Sequence, residues 1–426
     1  MTNDYRIFIS TGEVSGDLQG SLLVEALHRQ SRDRNLPLEI VALGGDRMAA
    51  SGARLLANTA SIGSVGTVWE AIPFVLPTLK IQSQTKQYLQ QHPPDLVVLI
   101  DYAGPNLALG SYIRRTFPQV PIVYFIAPQM WVWWSNRGEI DRLVKMTDRL
   151  LAIFPAEASY FERLGVSVTW VGHPLLDRVQ TAPSREVARA KLGIAPEALS
   201  VALIPASRHQ ELKYLLPAMF QAAKAIQAKL PQVHFWIPLS LEIYRQPIAQ
   251  AIKDYGLQAT ILSGQTLEAI AAADLAITKS GTVNLEIALL DVPQVVIYRV
   301  SQFTAWIARN LLKINLPLIS PPNLVVDRPI VPELLQDRAT PENITQQALE
   351  LLLNPTRRQQ VLTDYQQMRS LLGETGVGDR AATEILQMLL ARSRESVRAG
   401  LETRPYGSRE EGDKGDKEDK RELGEL

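Results

Sequence analysis

Asp101 closes the apolar run Asp95-Leu-Val-Val-Leu-Ile100 and opens Asp101-Tyr-Ala-Gly-Pro-Asn106. A carboxylate at the carboxyl end of a buried strand stands where open α/β sheets hold their ligands, and it can take the proton of an attacking hydroxyl. The alternative is a turn aspartate that caps the next helix. A second segment with chemistry in it is Ser10-Thr-Gly-Glu-Val-Ser-Gly-Asp17. Gly12 and Gly16 let the backbone approach a ligand closely, with Glu13 and Ser15 between them. Asp17 either belongs to that site or caps a helix. The spacing is not the G-x-G-x-x-G of dinucleotide sites.

The second half repeats this arrangement. Ile204-Pro-Ala-Ser-Arg208 ends a strand-like run, and the planar fork of Arg208 suits a diphosphate or a surface ion pair. Lys279-Ser-Gly-Thr282-Val-Asn-Leu-Glu286 ends another. Ser280, Gly281 and Thr282 would offer free amides and the positive end of a helix to a phosphate. Glu286, one turn deeper on the same face, would reach a ribose hydroxyl or stay a solvated helix residue. Trp131, within Gln129-Met-Trp-Val-Trp-Trp134, either packs on a sugar ring or acyl chain or anchors the following helix.

These residues need elements to present them. Short runs rich in Val and Ile predict strands at 6–10, 39–43, 95–100, 121–126, 149–153 and 168–171, with helices between, as at 17–30 and 139–147. A polar stretch near 178–199 leads to a second series: strands at 200–204, 233–237, 259–262, 274–277 and 294–298, helices at 211–229, 245–254, 266–272, 282–290 and 343–353. The βαβ rhythm predicts an α/β protein of two doubly wound, Rossmann-like domains, 1–177 and 178–353, facing each other across a cleft. Helices over 354–393 would pack back on the first domain. The charged, low-complexity tail 394–426 should be disordered.

Composition narrows the function. The 426 residues suit two domains, and 44 basic residues balance 44 acidic ones, which gives no basic footprint for nucleic acid. With no cysteine, thiolate chemistry and disulfides are excluded. The five histidines are scattered and make no zinc spacing. No signal peptide and no membrane span is legible, which predicts a cytoplasmic protein. The stretch 65–80 carries Val68, Trp69, Ile72, Phe74, Val75, Leu76 and Leu79, with Lys80 and Lys86 beside it. It would lie on a membrane surface or line an acyl groove, unless it is ordinary helix core.

Taken together the segments resemble lipid-A-disaccharide synthases over about 6–390. The resemblance is carried by Gly12-Glu-Val-Ser-Gly-Asp17, Gly44-Gly-Asp-Arg-Met48, Ile100-Asp101, Pro128 with Trp131 and Trp133, Gly172-His-Pro-Leu-Leu-Asp177 and Ser207-Arg208. Ser280-Gly-Thr282 with Glu286, Tyr298-Arg299, Pro322-Asn-Leu324 and Glu333-Leu-Leu-Gln336 complete it. It implies a GT-B fold and an inverting transfer of 2,3-diacylglucosamine from UDP to 2,3-diacylglucosamine 1-phosphate, giving a β-1,6-linked disaccharide and UDP. Asp101 matches the family's candidate base. Arg208, Ser280, Thr282, Glu286 and Asn323 match its UDP-binding positions, and 65–80 matches a region thought to touch the membrane. Neither metal nor other cofactor is implied, and homodimers through the C-terminal segment are.

The chain departs from the family pattern at Ala103 and Pro105 after Asp101, at Ala206, at Trp134 and at Thr11, so the acceptor side is altered more than the UDP side. A UDP-N-acetylglucosamine 2-epimerase, a transferase with another lipid acceptor, and a non-catalytic binder of UDP-sugar or lipid share many of these features. The apolar stretch disfavours the first, and the retained Asp101, Arg208 and Glu286 disfavour the last.

Overall fold

A computed structural model describes residues 4–60, 68–128, 137–205, 209–300 and 318–402, without the side chains of 68–75, 209–210 and 393–402. Seven parallel strands form the first sheet: β1 (Tyr5–Ser10), β2 (Leu38–Gly44), β3 (Arg54–Asn58), β4 (Leu96–Ile100), β5 (Ile122–Phe125), β6 (Arg149–Ala152) and β7 (Val168–Trp170). Six form the second: β8 (Ser200–Ile204), β9 (His234–Leu239), β10 (Ala259–Ser263), β11 (Leu275–Lys279), β12 (Gln294–Tyr298) and β13 (Glu333–Leu335). Their orders are β3-β2-β1-β4-β5-β6-β7 and β10-β9-β8-β11-β12-β13. Each sheet therefore reverses direction once, between β1 and β4 and between β8 and β11. Crevices open outside the carboxyl ends of strands at such points.

The inner strands are apolar on both faces because both faces are covered. In β1, Ile7 and Ile9 pack with Leu23, Leu27, Val98 and Ile100 on one side. Phe8 packs with Val97, Leu99, Leu107 and Tyr124 on the other. The first of these layers is closed by the far end of the chain. Helix Val377–Glu402 places Val377, Ala381, Ile385 and Leu389 on one stripe against helix Glu13–Asp33, all of them buried in that core. Ile385 and Leu389 each contribute about 1.5–3 kcal/mol by leaving water. Arg29 pairs with Asp379 at 2.6 Å along the same seam. The preceding helix, Pro355–Leu371, gives Val361, Tyr365 and Met368 to the core of the second sheet.

The sequence pattern omits β3 and β13, which are edge strands of mixed burial and carry no continuous apolar run. The helix expected over 211–229 is two, His209–Tyr214 and Leu216–Lys229, because Pro217 in the first turn of the second has no N–H to continue the first. The 65–80 stretch lies partly outside the described residues; from Val68 to Gln91 the backbone is one helix, on which Leu76 and Leu79 are 77% and 56% exposed. The final helix runs to Glu402, past Arg394 where disorder was expected, and 403–426 lie outside the described residues.

Candidate functional site

The two reversal points face one cavity of about 370 Å³. From the first sheet it is lined by Glu13, Ser15, Gly16, Gln19, Asp101, Ile126, Glu157 and His173 among others, and from the second by Ser280, Gly281, Thr282, Ile319 and Pro321. Seven residues expected from the sequence thus meet in one place: Glu13, Ser15, Gly16, Asp101, Ser280, Gly281 and Thr282.

Asp101 is held by its backbone. Its φ is +44°, a left-handed conformation that non-glycine residues rarely adopt, and Tyr102 follows at +52°. The Asp101 N–H donates to Ile126 O at 3.0 Å. Its carbonyl accepts from Tyr124 Oη at 2.8 Å and from Asn106 Nδ2 at 2.9 Å. The same Asn106 amide donates to Ser10 O and Ile100 O, and its Oδ1 accepts from Ser10 Oγ. One buried side chain therefore ties the ends of β1 and β4 together beneath the carboxylate.

Glu13 and Ile126, on the neighbouring strand ends, also have positive φ, +62° each. The turn at Ile126 is clamped by Glu157. Its Oε1 accepts from Ala127 N–H at 2.9 Å, and its Oε2 accepts from Ile153 N–H at 2.8 Å and Phe154 N–H at 3.3 Å. Burial pushes this carboxyl up to about 7, assisted by the charge of Asp101, against the lowering effect of the three amides. Burial likewise pushes His173 down to about 3, so its imidazole is neutral.

The remaining expected residues have other partners. A Cβ at Gly12 would lie 2.6 Å from the Tyr102 ring, and one at Gly16 would lie 2.0 Å from Thr11 Oγ1, so both glycines serve close packing. Asp17 caps a helix, but not its own. It accepts from Gly45, Arg47 and Met48 N–H at 2.8, 3.2 and 3.1 Å, at the start of helix Asp46–Ala50.

On the second sheet the Gly281 N–H, expected to be free, donates to Asn284 Oδ1 at 2.7 Å. Ser280 Oγ donates to Ile319 O at 3.2 Å. Glu286 is buried and ion-paired with Arg178, not solvated. Asn323 is fully used by its own loop: Oδ1 accepts from Ile330 and Val331 N–H, and Nδ2 donates to Val331 O and Glu333 Oε1. It shapes the cavity wall at 319–321 from behind. Trp131 and Arg208 lie outside the described residues.

Two titratable residues of the cavity lining, Glu157 and His173, were not singled out as site residues from the sequence. Glu157 carried one signal, its place at the third position of a helix opened by Pro155. His173 carried none beyond its neighbours in Gly172-His-Pro.

Two parallel sheets joined around a cleft, each open at its reversal point, define a GT-B fold. The same fold is seen in UDP-GlcNAc 2-epimerase from Neisseria meningitidis bound to UDP-GlcNAc (TM-score 0.60, 13% identity, 91% of this chain and 100% of that one). It is seen again in CalG4, the calicheamicin glycosyltransferase (TM-score 0.53, 18% identity, 91% and 99%). Sequence resolves the class further. A family model described as lipid-A-disaccharide synthetase matches residues 7–386, and the lipid-A-disaccharide synthase of Gloeothece citriformis is 62% identical over 381 residues, 89% of this chain and 99% of that one. The chain belongs to the lipid-A-disaccharide synthase family.

Proposed function

We propose that the protein transfers 2,3-diacylglucosamine from UDP to the 6-hydroxyl of 2,3-diacylglucosamine 1-phosphate, with inversion. The observation that carries this reading is Asp101 on one wall of a cavity whose opposite wall is Ser280-Gly-Thr282. Asp101 takes the acceptor hydroxyl proton as that oxygen attacks the anomeric carbon and the bond to UDP breaks. The Thr282 hydroxyl binds the departing diphosphate, joined by Ser280 once its hydroxyl leaves Ile319 O, with Arg208 as the cation and Glu286, held by Arg178, toward the ribose. Glu13, Ser15 and Gly16 line the acceptor side. Trp131 packs on the sugars, while Gly12, Asp17 and Asn323 keep the binding surfaces in shape. Closing the cleft brings the two substrates into one encounter, which is worth several orders of magnitude in rate.

The lipid substrates reach the site from the inner face of the cytoplasmic membrane. Among the described residues no helix is long and apolar enough to cross a membrane. The exposed Leu76 and Leu79, beside Lys80, supply a peripheral contact. A homodimer through the C-terminal segment is part of the same proposal.

The test is UDP release by the purified protein from UDP-2,3-diacylglucosamine, with and without the acceptor, beside Asp101→Asn. Release that needs the acceptor and collapses in the variant is expected. Acceptor-independent conversion of the UDP-sugar would point instead to epimerase-like chemistry.

A further inference from the structure

Lys279 is the last residue of β11, which pairs with β8 where the second sheet reverses its order. Leu275 and Ile277, on the same face of that strand, lie in the second core with Leu212 and Leu215. The lysine side chain therefore rises at the carboxyl end of the sheet, and its ammonium reaches both segments that bound the crevice. Nζ stands 3.6 Å from Oε1 of Glu211, on helix His209–Tyr214 that follows β8. It also lies against the turn that follows β11, since a Cβ at Gly281 would be 2.9 Å from Nζ. Gly281 in turn lines the cavity.

The pair is largely withdrawn from water, with side chains 13% and 18% exposed. Desolvating two charges costs more than a pair beyond charge-assisted hydrogen-bond reach returns, and apolar residues of similar volume would brace the two segments as well. A bare structural role thus leaves the charges unexplained. The cavity supplies a reason. Its lining carries the carboxyls of Glu13, Asp101 and Glu157 and, among the described residues, no lysine or arginine. A diphosphate entering there would meet negative charge on the first-sheet wall and needs cations on the other. Lys279 places one beside the residue that forms that wall.

We propose that Lys279 is a second cation for the nucleotide: its Nζ donates to a diphosphate oxygen lying over Gly281. Glu211 holds the ammonium across the reversal point until the nucleotide enters. As the bond to the sugar breaks, its electron pair passes to the departing phosphate oxygen, and the ammonium stabilises that added charge. The proposal rests on the reading that the Ser280–Thr282 wall meets UDP.

The test uses the full chain, with UDP affinity measured by calorimetry and uridine affinity by competition against UDP. Lys279→Met keeps the length of the side chain and removes its charge. It should weaken UDP about tenfold or more and leave uridine unchanged. Glu211→Gln, on a different element, removes the carboxylate that competes for the ammonium and should tighten UDP a few-fold. It carries the test if Lys279→Met does not fold. Unchanged or weaker UDP binding in Glu211→Gln would make the pair a brace between the two segments and overturn the proposal. Lys279→Met would overturn it by weakening UDP and uridine alike, or by changing neither. Failure of the underlying reading is separately visible in the parent: UDP binding that survives Thr282→Trp, a change that fills the space, or no UDP binding at all, would overturn both.

Discussion

The two walls of the cavity are built on opposite terms. On the first-sheet wall Glu13, Asp101 and Ile126 all have left-handed backbones, and Glu157 and His173 are buried titratable groups. On the second-sheet wall none of Ser280, Gly281, Thr282, Ile319 and Pro321 has a positive φ. Its polar groups are closed on themselves, Gly281 on Asn284 and Ser320 N–H on Glu333 at 2.8 Å. Strained backbone persists only where the surroundings over-determine it, and here Asn106 and Glu157 do so. The wall that carries the proposed base is fixed at a conformational cost. The wall proposed to meet the nucleotide is a relaxed, capped turn, as suits a surface that would bind UDP and release it.

The sharpest way to break this contrast is Asp101→Asn, which keeps shape and removes the base. It should lower kcat by about 10²–10⁴-fold while the melting temperature stays close to that of the parent. Glu157→Ala comes next. It leaves the Ala127, Ile153 and Phe154 amides without their acceptor, at about 1–3 kcal/mol each, and frees the Ile126 turn. Urea unfolding should show a loss of about 3 kcal/mol or more, and turnover should fall with it.

The same wall should respond to pH in two opposed senses. Glu157 binds its proton more tightly folded than unfolded, so its contribution to stability falls as pH rises from 4.5 toward 7. His173 binds its proton more weakly folded, so its contribution falls as pH drops from 6.5 toward 3. Stability of Glu157→Gln minus parent and of His173→Asn minus parent, followed against pH, should therefore slope oppositely between 4.5 and 6.5. Parallel slopes would show that these groups are not buried as described.

Smaller again is Gly12→Ala, whose methyl meets the Tyr102 ring and should cost about 1–3 kcal/mol with a modest loss of turnover. Least is Leu76→Asp with Leu79→Asp on the exposed helix face. Stability should stay within about 0.5 kcal/mol, while sedimentation with anionic vesicles should drop.

The sheet architecture was legible because its inner strands are buried on both faces and write themselves as unbroken Val, Ile and Leu runs. The edges β3 and β13 were not, since Arg54–Asn58 and Glu333–Leu335 contain no Val, Ile or Thr, unlike the equally exposed edges β7 and β10, which were read. Asp101 and the Ser280–Thr282 turn were found because strand ends are visible in sequence. The work of Asp17, Asn106 and Glu157 was hidden for one shared reason. Each acts on backbone groups brought near only by the fold: Asp17 on Gly45, Asn106 on Ser10, Glu157 on Ala127. For Glu286 only the solvated alternative fell away, since nothing local announces the burial that pairs it with Arg178.

The last long helix completes the layer begun by the first. On the ribosome this makes the amino-terminal half wait. Its strands can pair as they emerge, but the apolar patch that receives Ile385 and Leu389 stays bare until residues 385–389 have been made. The second sheet, which draws on nothing beyond Leu372 for its own core, can finish earlier. The half synthesised first is thus the half completed last, and in the interval it presents a sticky surface that a chaperone, or the same helix of a neighbouring nascent copy, is shaped to cover.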